Sequence, residues 1–272
     1  QGKSATAPWQ PGSGTIPGRW QIPIPWVLDE LGLYADLNFQ GVIQRFRWIA
    51  PGAFLMGSPE FEPEKGENEI QHGVTLTQGF WLADSACTQA LWQAVMGENP
   101  AYFQDSLDHP VEYVNWDDVQ SFIQALNTQL PDLHARLPTE AEWEYACRAG
   151  TTTPFSFGET ITPEKVNYDP HAGVEIGRIL GKTVPVKSLP SNPWGLYEMH
   201  GNVWEWCSDG YGDYPTEAVI DPFGPTTGQN RVLSGGSWRS SAWRTRSAYR
   251  HRDEPVNRIN RFGFRLALGP DR

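Results

Sequence analysis

Glycine and proline supply 27 and 23 of the 272 residues, a density that limits how far any helix or strand can run. Glycine reaches positive φ without steric cost and proline removes a backbone donor, so many turns and little regular structure are expected. Order must then come from side chains. Thirteen tryptophans, 12 phenylalanines and 9 tyrosines offer large areas for burial and mark a folded chain, although the apolar fraction is only 39%. A single domain with a sizeable core is expected at this length.

Residues 1–44 read as an N-terminal arm packed on a domain over 45–272. Within the arm, "PWVLDELGLYADLNF" (25–39) is expected to hold a short helix. "FRWIAPGAFLMGS" (46–58) alternates apolar and turn residues as short strands do, and the acidic loop in 59–76 leads into another. Apolar spacing predicts helices within 88–97, 115–130 and 137–150. Asn115 suits an N-cap, Thr139 and Glu142 form a capping-box pattern, and Gly97 and Gly150 suit helix ends. The remainder is loop-rich, with strands expected at "RVLSGGSW" and "RFGFRLAL". The fold class is therefore α+β, with few helices, short strands and long ordered loops.

No apolar run reaches the roughly 18 residues of a membrane helix. The chain begins at Gln1 without Met, so either a targeting segment is removed, which fits export, or the sequence is trimmed. A net charge of -11 argues against nonspecific nucleic-acid binding. Cys87, Cys147 and Cys207 are odd in number and form no CxxC pair, so at most one disulfide can form. Cys87 and Cys147 fall in helix-forming stretches and are expected to be buried. No flavin, nicotinamide or haem motif is present.

Charge is unevenly distributed. Residues 231–272 carry 10 arginines and 3 acidic residues, whereas the preceding 230 residues carry 11 basic and 29 acidic groups. Within "RVLSGGSWRSSAWRTRSAYRHR" (231–252) the arginines alternate with Trp238, Trp243 and Tyr249. Such a stretch can recognise an anionic or aromatic ligand by guanidinium pairing and stacking, or pair structurally with the acidic body. Structural pairing is expected for Arg246, Arg250 and Arg265, while Arg239 and Arg244 are left open between the two roles. Ser240 and Ser241 would act as nucleophiles only with a base in reach, and His251 is the nearest in sequence.

"FLMGS", "TQALWQAVMG", "PVEYVNWDDVQSFIQALN", "RLPTEAEWEYACRAG", "NPWGLYEMHGNVWEWCSD", "RVLSGGSW" and "RFGFRLAL" occur in this order across the chain. Together they resemble the formylglycine-generating enzyme (sulfatase-modifying factor) family, which implies a fold related to C-type lectins. Founding members oxidise a substrate cysteine with copper held by two cysteines after the GGS segment. Here Ser240 stands where the first thiolate would fall, the second position lies around Ala242–Thr245, and no cysteine follows Cys207. Copper is therefore not expected, since soft Cu(I) requires thiolates. Another branch of the wider family holds iron through histidines of an added helical domain. The six histidines here are scattered without HxxxH spacing, so iron is not expected either.

The resemblance further implies a structural calcium ion at Glu198, the carbonyls of Gly201 and Val203, and Glu205. The competing reading has Glu205 paired with an arginine and Trp204 and Trp206 filling the core. A second family calcium site would use Asn167 and the Tyr168 carbonyl, with its acidic ligand replaced near Arg178. The family's substrate groove maps onto Trp238, Arg239, Ser240, Ser241, Trp243 and Arg244, and the catalytic candidates are Ser240, Arg239, Arg244 and His251. The copper-free version is similar to the branch that matures pyoverdine in the periplasm of fluorescent pseudomonads. That likeness implies oxidation of a siderophore precursor, dihydropyoverdine, alongside other periplasmic maturation enzymes. A non-catalytic lectin-like binding or accessory module is the alternative.

Overall fold

The computed structural model describes residues 24–170, 181–225 and 228–269. In chain order its first strands are β1 (Trp26–Asp29), β2 (Gly32–Phe39), β3 (Val42–Ile49), β4 (Gly52–Met56), β5 (His72–Leu76) and β6 (Phe80–Ala83). Helices α1 (Gln89–Met96) and α2 (Trp116–Gln129), strand β7 (Ala135–Arg136) and helix α3 (Glu140–Arg148) follow. Then come β8 (Trp204–Gly210), β9 (Val219–Ile220), β10 (Arg231–Ser234), a 3-10 turn (Ala242–Thr245), β11 (His251–Asp253), β12 (Phe262–Gly263) and β13 (Ala267–Leu268). The α+β class with few helices and short strands is what the glycine and proline density predicts.

Strands assemble into a six-stranded sheet ordered β1-β2-β3-β6-β13-β7, a four-stranded sheet β11-β10-β8-β12 and a three-stranded sheet β4-β5-β9. The short helix expected within 25–39 is instead the β1–β2 hairpin. Ala35, Leu37 and Phe39 are buried at every second position, a period of two that suits a strand and not a helix. The turn is closed by Leu31 N–H donating to Asp29 Oδ1 and by Gly32 at φ +111°. β2 then pairs with β3 from Tyr34↔Arg47 to Phe39↔Val42. Residues 26–44 thus carry β1, β2 and the first residues of β3 in the main sheet, and the 44/45 boundary falls inside β3; residues 1–23 lie outside the described residues.

Each predicted helix is present and capped. Thr88 Oγ1 accepts from Leu91 N–H at the start of α1, and Gly97 ends it at φ +84°. Asn115 with Asp118, and Thr139 with Glu142, form reciprocal capping boxes on α2 and α3. Val119, Phe122, Ile123 and Leu126 turn one face of α2 into the core. There Trp92 stacks on Phe122 at 5.0 Å between centroids, with Phe264 edge-on to both. Among the described residues no helix is long and apolar enough to cross a membrane.

A candidate ligand-binding face

β10 delivers the chain into a turn that only glycine can make. Gly235 and Gly236 have φ of +92° and +77°, and a Cβ on Gly236 would lie 2.4 Å from Thr245 Cγ2. The 3-10 turn can therefore fold directly against the glycine backbone. Ser237 and Ser240 close the intervening loop: Ser240 N–H donates to Ser237 O at 2.9 Å, and Ser237 N–H donates to Ser240 Oγ at 3.0 Å. His200 braces this loop from beneath. Its Nδ1–H donates to Thr245 O at 2.7 Å, and its Nε2 accepts from Ser156 N–H at 3.1 Å. Those partners fix one neutral tautomer, and complete burial lowers its pKa to about 4.

Two groups of arginine stand out within residues 231–272. Arg246 pairs with Glu62 at 2.5 Å and Glu69 at 2.8 Å. Arg250 pairs with Glu140 at 2.5 Å, and Arg265 with Glu205 at 2.6 Å. All three are buried. In contrast, Arg239, Arg244, Arg252 and Arg261 make no ion pair with any described carboxylate, and the first three are exposed. Arg261 has a lowered pKa, first from burial and then from the charges of Arg239 and Arg244, with Asp253 opposing. Three guanidiniums without an ion-pair partner among the described residues therefore share one electrostatic neighbourhood, with Asp253 acting on Arg261 from a distance.

Aromatic rings form the floor between them. Trp243 meets Tyr249 edge-on at 5.2 Å, Tyr249 lies 5.7 Å from Trp204, and Trp204 lies 4.9 Å from the His251 ring. Arg244 covers Trp243 with its guanidinium carbon 4.8 Å from the ring centroid. Trp238 is fixed at both ends, its backbone N–H donating to Asn202 O and its indole N–H to Asn260 O. Its ring meets Phe103 edge-on at 5.5 Å. His251 has its pKa lowered chiefly by burial; Asp253 opposes, while Arg261, Arg244 and Arg252 add to the lowering. Burial and the neighbouring guanidiniums thus favour its neutral form.

The six substrate-site candidates lie in this loop, but with different exposures. Arg239 and Arg244 are exposed, Trp238 and Trp243 half-buried, and Ser240 and Ser241 buried. Ser240 spends its hydroxyl on Ser237, and no hydrogen bond between the described residues joins Ser240 or Ser241 to His251. The geometry required of a serine nucleophile is thus not assembled. The three cysteines are free and buried, with burial raising the Cys147 thiol to about 12.

The two carboxylates of the expected calcium site are hydrogen-bonded within the protein. Glu205 Oε2 accepts from Arg265 Nε at 2.6 Å and Trp143 Nε1 at 2.7 Å, and Oε1 from Arg265 Nη2 at 2.8 Å. Glu198 accepts the backbone N–H groups of Lys187 and Leu189. A dication at Glu198, Gly201, Val203 and Glu205 does not fit beside the Arg265 guanidinium, which already neutralises Glu205. Asn167 donates to Lys182 O and Asn202 Oδ1, while its backbone carbonyl accepts from Asn202 N–H. Tyr168 is buried, and Arg178 lies outside the described residues. Among the described residues no group of three or more His, Cys, Asp and Glu side chains is placed to hold one metal ion.

Local sequence did not reveal Arg261, Trp204 or Phe103 as parts of this face. Arg261 sits beyond the basic run, Trp204 reads as core, and Phe103 arrives from a loop more than a hundred residues earlier. Only β-sheet pairing and loop packing bring them together.

Comparison with known proteins agrees with the ordered motifs. The formylglycine-generating enzyme of Bos taurus is 30% identical over 97% of this chain and 79% of its own length. Hercynine oxygenase of Mycolicibacterium smegmatis is 32% identical over 59% of the chain. The chain spans 53% of the mouse formylglycine-generating enzyme and 37% of the mycobacterial protein. Among solved structures, Treponema denticola variable protein 1 is 29% identical with a TM-score of 0.77, covering 87% of this chain and 99% of its own. PvdO of Pseudomonas aeruginosa is 25% identical with a TM-score of 0.74, covering 86% and 97%. With residues 38–269 matched to the sulfatase-modifying factor enzyme 1-like domain, the chain belongs to the formylglycine-generating enzyme family and resembles PvdO.

Proposed function

We propose that the face built by Trp238, Arg239, Trp243, Arg244, His251 and Arg261 binds a flat, anionic ligand. The observation that carries this reading is a contrast among the arginines: Arg246, Arg250 and Arg265 are buried and ion-paired, whereas Arg239 and Arg244 are exposed and Arg261 half-buried, all three without an ion pair among the described residues. Mutually repelling cations over an aromatic floor gain most when an anion with a planar body covers them. Copper chemistry of the formylglycine-synthase kind has no cysteine pair to use after the GGS turn. A binding test would titrate dihydropyoverdine against the full chain and against Arg239→Ala and Arg244→Ala. Unchanged affinity in both variants would sink the assignment.

Relatives named for formylglycine generation and hercynine oxygenation support an oxidative or modifying role at the level of the family. The second reading, favoured by the likeness to PvdO, is that the bound ligand is a pyoverdine precursor and is oxidised in the periplasm. Dihydropyoverdine would lose two electrons and two protons, with dioxygen accepting both pairs to give hydrogen peroxide. His251 would take the phenolic proton, and Arg239 or Arg244 would stabilise the resulting catecholate. Substoichiometric protein, followed by absorbance in air and under argon, separates the readings. Oxygen-dependent conversion over many turnovers supports an oxidase, and a stoichiometric spectral change alone supports a binding module.

A further inference from the structure

We propose that Glu112 is the positioning residue of this face: it holds the loop of Tyr102 and Phe103 and, through the Phe103 ring, the Trp238 indole. The inference rests on the binding reading above. Glu112 is completely buried. One carboxyl oxygen, Oε1, accepts Phe103 N–H at 2.7 Å, and the Tyr102 backbone N–H also favours the ionised carboxyl. Oε2 is buried with no hydrogen-bond partner among the described residues. An orphaned buried oxygen is costly, so an apolar side chain would be the cheaper occupant if packing were its only task. What Glu112 adds is an acceptor for the backbone of one short loop.

That loop is tied from behind as well. Gln89 Nε2 donates to Phe103 O at 2.7 Å, Asn99 Nδ2 donates to Gln89 Oε1, and Ala101 N–H donates to Asn99 Oδ1. Phe103, thus held, stands at 83° to Trp238, and Tyr102 stands at 89° to Phe103 with its ring largely exposed. Tyr102, Phe103 and Trp238 therefore form one aromatic wall, and Glu112 anchors its far end.

Burial raises the Glu112 carboxyl to about 7, opposed only by the Phe103 and Tyr102 N–H groups, and no ionisable side chain contributes. An ionised carboxylate accepts stronger bonds than a protonated one, so the loop tightens as pH rises through about 7. The test uses the full chain labelled with 5-fluorotryptophan, the Trp238 resonance being assigned with Trp238→Phe. In the wild type that resonance is expected to shift with a midpoint near 7. In Glu112→Gln, which keeps an acceptor but cannot ionise, it should stay constant with pH. Glu112→Ala should displace it at every pH and weaken dihydropyoverdine binding about tenfold, with Glu112→Gln recovering most of the loss. A resonance that does not titrate, or that titrates equally in Glu112→Gln, overturns the inference and leaves ligand binding standing. The expected titration without ligand binding would overturn the binding reading and leave the positioning role standing.

Discussion

Glu205 and Arg265 meet in a buried fork, Nε to Oε2 at 2.6 Å and Nη2 to Oε1 at 2.8 Å, with their side chains 1% and 0% exposed. Arg265 spends its other N–H groups on the carbonyls of Ala83 and Tyr197, and Glu205 also receives the Trp143 indole. The pair thereby joins the six-stranded sheet, α3 and β8. Removing one partner leaves the other charged and desolvated. Glu205→Ala is expected to cost about 3–5 kcal/mol in denaturant unfolding.

Calcium makes a separate test of the same site. Because Glu205 is already neutralised, addition of calcium or of a chelator should leave the thermal midpoint unchanged. A rise on adding calcium, lost in Glu198→Gln, would show that the loop binds the ion after all.

Arg244 and Arg246 lie two positions apart and should respond oppositely to substitution. Arg246→Ala strands the buried carboxylates of Glu62 and Glu69 and should destabilise the fold by about 3–5 kcal/mol. Arg244→Ala, at an exposed unpaired site, should change stability by less than about 0.5 kcal/mol. Its effect should fall on ligand affinity, with a weaker salt dependence. Equilibrium unfolding and ligand titration on both variants check the contrast.

Burial sets opposing pH dependences. Glu198 is raised from 4.5 to about 7, so the folded chain keeps this proton where the unfolded chain has lost it. Stability contributed by this group therefore falls as pH rises from about 4.5 to about 7. Glu198→Gln should remove that slope, gaining up to about 3 kcal/mol relative to wild type between the two ends of the window. His200 works at the acid side. Its pKa is lowered from 6.5 to about 4, so stability is lost as pH falls through that range. Unfolding midpoints measured across both windows in wild type and Glu198→Gln test the assignment.

Gly236 is the backbone hinge of the face. Gly236→Ala places a Cβ 2.4 Å from Thr245 Cγ2 in a left-handed conformation, forcing the 3-10 turn outward. A loss of about 1–3 kcal/mol is expected, together with weaker ligand binding, by unfolding and titration.

The amino-acid sequence alone determined the helices, their caps and the family. Capping residues and apolar spacing act within a few positions, as at Asn115, Thr139 and Gly97, and ordered motifs need no geometry. It also located the basic run and anticipated that Arg246, Arg250 and Arg265 would pair. The β1–β2 hairpin is not legible in the sequence, because seven residues of alternation carry too little signal against helix-compatible composition. Tertiary structure alone decided which carboxylates compensate Arg246 and Arg250, since Glu62, Glu69 and Glu140 come from segments more than a hundred residues away. The same holds for Phe103 against Trp238, for the engagement of Glu205 by Arg265, and for the buried carboxyl of Glu112. Charge compensation and burial depend on distances in space, and in a chain with short strands and long loops those distances are set by packing between remote segments.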